Sequence, residues 1–564
     1  MFRYKLKDAT YMQTILKITG IFISFCILSY LFVQPLLTKG MIFNGDDAWY
    51  QIDRIFEIKR NLAHGVFMPF MYTFTFGQIA FPLGIFYPQI TISVISVITF
   101  FFKNAVTGVY AGIAFFTLIT LIITYYTLRK LGKSSSSAYV GAILYAFATY
   151  RTVDAFSRFA MGEYLAMTFL PLCFYGLYAI LSGKNKDWPY LAIGFSFILL
   201  SHVLTAFIIA IVLCIILIFN LILQDDRIRK FQYLMTAGVA TICSSAIFLF
   251  PFIEQRLFQA YNIPTPTNLA KNAQTFSGMV TSALENSVQK NLVASYSVGL
   301  TSIIIIILGA IFFKNLKSFE KLSYIIATVV FIFSSALFPW SLLQSTPVMV
   351  IQYTFRLLAI PTLLYAVVGA GLFDLFLNSY DKISRRNFVV FIMVLIGILS
   401  CWYSSMQKLA TESQYVAAPA MTNDGNISNG TMYTDQYTPK HATKFLNDFI
   451  KHVAIIDNKK VTLKKIKPSA NQLAFTDKKV KNAEKIDLPV AYYKNYVAYR
   501  NGKRIQVKKS TRGSMLVESK GKGAITIRYK YSVIDFLGAI LSVLTWVGFV
   551  VWFVRAKIRK NVID

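Results

Sequence analysis

Apolar stretches of about 18 residues or more recur along this chain, separated by short polar loops. That is the pattern of an α-helical polytopic membrane protein. The first stretch covers roughly residues 15–37. Residues 79–102 are also apolar, but Pro82, Gly84 and Pro88 interrupt them. About 14 uninterrupted residues remain, from Gln89 to Phe102, so a re-entrant or interfacial piece is expected there rather than a crossing. Residues 190–223 are too long for one span, and the polar pair Ser201-His202 divides them into two. Counted this way, the pattern predicts about twelve spans.

The basic loops set the expected orientation. Lys and Arg concentrate in the N-terminal tail (Arg3, Lys5, Lys7) and in Leu128 to Lys133, Gly183 to Lys186, Asp226 to Lys230, Lys314 to Lys321, Asp381 to Arg386 and Arg555 to Lys560. If 79–102 does not cross, all of them fall on the cytoplasmic side, as the positive-inside rule asks. Both termini are then cytoplasmic in a multi-pass cell-membrane protein. Residues 1–404 form the membrane domain, with a first outer loop at 38–104. Residues 531–564 form the last span and a basic cytoplasmic tail.

Two stretches break the pattern of long spans. After Asn44-Gly45-Asp46-Asp47, apolar residues fall at Trp49, Ile52, Ile55, Phe56 and Leu62. This spacing predicts a helix with one apolar stripe, lying flat at the membrane surface, with Asp53, Arg54, Glu57 and Arg60 on the other side. Between the last two spans, residues 405–530 are polar and outside. Short alternating runs at 490–493, 496–499, 504–507, 514–517 and 524–527 predict a small antiparallel β-sandwich. Asn426 and Asn429 there match the N-glycosylation pattern.

Charge adds a partner class. The 564 residues include 57 Lys and Arg against 26 Asp and Glu, a net charge of +31. Residues 405–530 alone carry 24 against nine, a net of +15. Such a balance suits lipid head groups or an acidic polymer; nucleic acid does not suit a protein embedded in a bilayer. The five cysteines lie in apolar runs without a CxxC, and the four histidines form no HxxxH pair, so neither a disulfide nor a structural zinc site is expected.

With that topology the remaining polar clusters gather on the outer face. They are Asp46, Asp47, Arg54 and His64; the stretch from Tyr150 to Glu163 with Arg151, Asp154 and Arg158; His202; Glu254 and Arg256; and Gln352 to Arg356. Charges at span ends are costly in lipid and tend to face a water-filled cavity, which predicts an outward-open polar chamber. Competing structural roles exist for each. Asp46 or Asp47 could cap the flat helix, Arg158 and Arg356 could snorkel, and Glu163 could complement a helix dipole. Arg54 and Arg151 could be structural, and His202 could simply belong to a turn.

The layout resembles the GT-C superfamily of integral-membrane glycosyltransferases. More closely, the chain resembles bacterial membrane proteins described as 6-pyruvoyl-tetrahydropterin synthase-related, neighbours of the YfhO-like family. The matching pieces are Gly45-Asp46-Asp47 with Arg54, Tyr150-Arg151 with Asp154, Arg158, Gly162-Glu163 and Leu170-Pro171, Ser201-His202 with Leu204-Thr205, Gln352 with Phe355-Arg356, and Tyr437-Thr438-Pro439. The label implies no pterin chemistry, which needs a soluble zinc site with several histidines.

The resemblance implies a sugar donor on a polyprenyl phosphate, used on the outer face. Asp46 or Asp47 would deprotonate the acceptor. Arg158 and Arg356, with Arg54 and Arg256, would hold the departing lipid phosphate. Glu163, Asp154, His202 and Gln352 complete the candidate site. No cofactor is required, although the carboxylates of Asp47 and Glu163 leave room for a divalent cation. Expected partners are membrane lipids, the donor, and an anionic cell-envelope polymer or lipid as acceptor. The alternatives are a non-catalytic carrier of lipid-linked sugars or lipids, and a scaffold for cell-wall synthesis.

Overall fold

A computed structural model describes residues 2–223, 226–289, 295–378, 385–411, 415–416 and 430–563. Asn426 and Asn429 lie outside the described residues. The chain forms two compact units, each assembled from three stretches. The first unit holds Met1–Asp46, Phe102–Tyr175 and Thr267–Ala418; the second holds Asp47–Phe101, Gly176–Pro266 and Pro419–Asp564.

The helices that matter below are α1 (Phe2–Leu37), α2 (Ala48–Ala63), α3 (Ala105–Lys130), α4 (Met161–Met167), α5 (Ala246–Phe258), α6 (Ser318–Phe333), α7 (Ala359–Asn378) and α8 (Val533–Ile563). Among the described residues, six helical stretches are long and apolar enough to cross a membrane: Met12–Leu37, Ala105–Lys130, Met161–Leu181, Thr354–Leu377, Arg386–Thr411 and Val533–Ala556. The pair Arg227–Ser244 and Ala246–Phe258, bent by 75°, makes a seventh if it counts as one span. The expected count of about twelve would need shorter apolar helices such as Val203–Ile218 and Leu300–Ile311 to cross as well. Ser201-His202 does separate two helices, Trp188–Leu199 and Val203–Leu223. Within 79–102 the longest helix is Ile90–Ile98. At a rise of about 1.5 Å per residue it is far short of a bilayer's hydrocarbon layer.

In the first unit, α1 packs on α3, and an aromatic knot ties in the far end of the sequence. Phe32 stacks on Trp402 at 5.5 Å, and Phe147 meets the same indole edge-on at 5.0 Å. The Trp402 Nε1–H then donates to Thr152 Oγ1 at 3.0 Å, fastening the segment that carries Asp154 and Arg158. Lys133 departs from expectation. Counted among the loop cations, it is instead buried, ion-paired with Glu320 of α6 and 3.9 Å from Asp374 of α7. Two carboxylates brought together by helix packing outcompete water for this ammonium.

In the second unit, α2 forms where its apolar spacing predicts, but its polar side is not exposed. Asp53, Arg54 and Glu57 are all buried. Glu57 accepts hydrogen bonds from the backbone N–H groups of Thr73, Phe74 and Thr75, from Thr75 Oγ1 and from Asn61 Nδ2. Asn61 Oδ1 in turn accepts from Asn471 N at 3.0 Å. Thus α2 is held by protein on both sides: five donors satisfy a carboxylate that would otherwise be too costly to bury.

The C-terminal part of this unit is a two-sheet β domain. Its strands are β1 (Val453–Ile456), β2 (Lys459–Thr462), β3 (Ile466–Ser469), β4 (Gln472–Phe475), β5 (Lys485–Ala491), β6 (Tyr496–Arg500), β7 (Lys503–Ile505), β8 (Val507–Lys509), β9 (Ser514–Glu518) and β10 (Ile525–Tyr529). They form two antiparallel five-stranded sheets, in the orders β8-β9-β5-β1-β2 and β3-β4-β10-β6-β7. Every edge strand carries exposed cations: Lys508 and Lys509, Lys459 and Lys460, Lys467, and Lys503 and Arg504. Charged edges deter edge-to-edge pairing. Part of the domain's positive charge therefore has a structural reason.

Candidate functional site

The site of the first unit is built on an irregular turn. Thr149–Thr152 is one helical turn, and Val153–Ser157 widens it into a π turn. Arg158 N closes that turn on Val153 O at 2.9 Å. Phe159 follows at φ +53, a backbone conformation uncommon for a non-glycine residue. Such wide turns recur at functional sites. Here the turn sends Asp154 and Arg158 inward, towards Glu163 on the first turn of α4.

Eight side chains meet there. Arg158 Nη1 is paired with Asp154 Oδ1 and lies 3.0 Å from Glu163 Oε2. Tyr150 donates its hydroxyl hydrogen to Glu163 Oε1 at 2.6 Å. The Arg158 guanidinium lies 4.8 Å from the Phe355 ring centroid and 5.8 Å from that of Tyr296. Arg356 Nε is 3.9 Å from Glu163 Oε2, and Arg356 Nη1 donates to Gln352 Oε1 at 2.9 Å. Arg158 is thus neither snorkelling nor open. Its side chain is 4 % exposed, against 12 % for Arg356. Burial and the neighbouring Glu163 charge push the Asp154 carboxyl well above its ordinary range, and Asp154 Oδ2 has no hydrogen-bond partner.

Asp46 joins this group. Gly45 packs so closely on the main chain of the wide turn that a Cβ would sit 2.7 Å from the Arg158 carbonyl carbon and the Ser157 oxygen. Asp46 follows, half-buried, and its Oδ2 accepts from the Tyr296 hydroxyl at 3.2 Å. Burial and Asp46 together raise the Tyr296 hydroxyl above the ordinary tyrosine range, so it stays a donor. The first unit therefore unites Asp46, Asp154, Arg158, Glu163, Gln352 and Arg356.

Asp47, Arg54, His202 and Arg256 belong to the second unit. Asp47 occupies the N-cap position of α2 without a side-chain capping bond. Arg54 is buried, with both terminal guanidinium nitrogens bonded to protein acceptors and its Nε without a hydrogen-bond partner. It donates to Gln51 Oε1 at 2.9 Å and Pro88 O at 2.8 Å, lies 3.8 Å from the Tyr87 ring centroid and is 1 % exposed. His202 Nδ1 is 2.8 Å from Thr205 Oγ1, a turn contact. Arg256 is exposed on the last turn of α5.

A divalent cation at Glu163 does not fit this donor set, since both carboxylate oxygens already face donors, one of them a guanidinium. Tyr296 was missed in the sequence because its neighbours are small or apolar and nothing marks it. Asp53 was missed because it was placed on an exposed side.

No curated protein matches the sequence. Over 70 % of this chain the fold is similar to that of the arabinofuranosyltransferase AftD from Mycobacteria, with a TM-score of 0.44, 10 % identity and 26 % of that chain covered. The Archaeoglobus fulgidus oligosaccharyltransferase in its apo form is similar over 76 % of this chain and 57 % of its own, with a TM-score of 0.42 and 10 % identity. For the archaeal oligosaccharyltransferase AglB from Archaeoglobus fulgidus, in complex with an inhibitory peptide and a dolichol-phosphate, the shares are 74 % and 60 %, with a TM-score of 0.41 and 12 % identity. This chain thus spans less than two thirds of each. Residues 85–408, more than half of the sequence, match the family described as "6-pyruvoyl-tetrahydropterin synthase related domain; membrane protein". The matched stretch includes Asp154, Arg158, Glu163, Gln352 and Arg356 but begins after Asp46. The chain belongs to this 6-pyruvoyl-tetrahydropterin synthase-related family of membrane proteins.

Proposed function

We propose that this protein is an integral-membrane glycosyltransferase of the GT-C type. It moves a sugar from a polyprenyl phosphate to an anionic cell-envelope acceptor on the outer face, with the β domain on that side. The observation that carries the reading is the half-buried Asp46 carboxylate. Tyr296 links it to the Arg158 cluster, with Arg356 the more open cation of the group.

In this reading Asp46 takes the proton of an acceptor hydroxyl as its oxygen attacks the anomeric carbon. The bond from that carbon to the phosphate oxygen breaks, and the polyprenyl phosphate leaves with the electron pair. Arg356 offers N–H donors to the charge that develops on the leaving phosphate. Arg158 is held by Asp154 and Glu163 and acts as a positioning residue. It fixes Glu163, which in turn faces Arg356 at 3.9 Å. A general base of this kind contributes about 10²–10⁴-fold.

The test is the sugar content of the cell envelope in a strain whose only copy is Asp46→Asn, beside an Asp47→Asn strain. Loss of a sugar in the first strain supports the reading. Unchanged envelope sugar in the first strain overturns it.

A further inference from the structure

The second unit carries a cationic cavity that the proposed transfer reaction does not use. Helix α5 runs antiparallel to α8, since Ser532, just before α8, donates to Glu254 Oε2 near the end of α5, while Ile247 N, at the start of α5, donates to Ser542 Oγ further along α8. The C-terminal end of α5 therefore lies level with the start of α8. At this level the apolar surface is broad and bare. Ile253 is 47 % exposed and Leu257 83 %, and Val533, Phe536 and Leu537 continue the surface on α8. It ends where the β domain begins, for Gln255 Nε2 donates to Lys494 O and Asn495 Nδ2 to Glu254 Oε2.

At that border lies a cavity of about 370 Å³, lined by Arg256, Gln259, Ala260, Tyr261, Ile263 and Lys440. None of these is acidic. Lys509 Nζ donates to Gln259 Oε1 at 2.9 Å and brings a third cation to the rim. The floor is well ordered by backbone pairing. Lys440 N donates to Ala260 O, Asn262 N to Thr438 O and Tyr437 N to Asn262 O, at 2.8–3.0 Å.

We propose that this cavity binds the phosphate of an anionic phospholipid headgroup, with Arg256 and Lys440 as its cationic donors and the acyl chains lying on Ile253, Leu257 and Phe258. The chemistry is charge-assisted hydrogen bonding at the level where lipid meets water. A bare apolar stripe leading into a cationic cavity selects a phosphate that carries a lipid tail over one free in solution. The site stands whether or not the chain transfers sugar.

The test uses the full-length protein released from nanodiscs of mixed phosphatidylglycerol and phosphatidylcholine, with retained lipids counted by native mass spectrometry. The wild type keeps phosphatidylglycerol in preference. Arg256→Gln with Lys440→Gln reduces that preference about tenfold. Ile263→Trp fills the cavity without changing charge and lowers it too. Equal retention by the wild type and both variants overturns the proposal. Displacement of the retained lipid by millimolar inorganic phosphate also overturns it, by showing a site for the free anion.

Discussion

The Tyr296 hydroxyl donates to Asp46 Oδ2 at 3.2 Å, and the same tyrosine ring lies beside the Arg158 guanidinium. One side chain thus couples the first acidic loop to a cluster more than a hundred residues later in the chain. If Asp46 is the base, that hydrogen bond fixes its orientation. Tyr296→Phe keeps the ring and removes the donor. Turnover is expected to fall by roughly fivefold, matching the ~1 kcal/mol of a typical hydrogen bond, with little change in melting temperature. Assays of membranes carrying the variant check this.

Gly45 is the second element of that coupling. A methyl group there would meet the main chain of Ser157 and Arg158 at 2.7 Å, and backbone cannot step aside as a flexible side chain can. Gly45→Ala is therefore expected to displace Asp46 and to cost both activity and thermal stability, whereas Gly40→Ala meets no neighbouring atom within 4 Å. Gly40 already sits at φ +66, so its own penalty is local backbone strain. Comparing activity and melting temperature of the two separates them.

Much of this was legible beforehand. Asp46, Asp154, Arg158, Glu163, Gln352 and Arg356 stood out as charged or polar groups beside apolar spans, where lipid leaves such groups only a few places to go. Which partner each would choose was not legible. Periodicity put Glu57 and Asp53 on a free side of α2 because it records apolar spacing alone. The Thr73–Thr75 backbone that meets Glu57 is recruited by chain folding, not by any pattern inside the helix. Lys133 reads as one cation in a basic loop for the same reason.

Asp53 provides a pH test. Burial, aided by the Glu57 charge, raises its carboxyl to about 8, and its Oδ1 has no hydrogen-bond partner. An unfolded aspartate titrates near ~3.9. Between those values the native chain holds the extra proton. Its stability is therefore full at low pH and falls as pH rises through the window. Asp53→Asn removes the titration. Melting curves from pH 5 to pH 8 should fall for the wild type and stay flatter for the variant, which gains about 2–4 °C over the wild type at pH 8.

The buried Lys133–Glu320 pair gives a stability test independent of function. Lys133→Met leaves the Glu320 carboxylate buried without its cation, a loss of about 3–5 kcal/mol. Adding Glu320→Gln removes the stranded charge and should recover part of that loss. Melting temperatures of the single and double variants decide it. A double variant less stable than Lys133→Met would go against the pairing.

The most direct measurement is turnover of the purified, lipid-reconstituted protein with Asp46→Asn, beside Tyr296→Phe and the wild type, on a polyprenyl-phosphate-linked sugar. Asp46→Asn is expected to lower kcat by about 10²–10⁴-fold while the protein melts as before. An Asp46→Asn protein that turns over as fast as the wild type would contradict a catalytic carboxylate at this position.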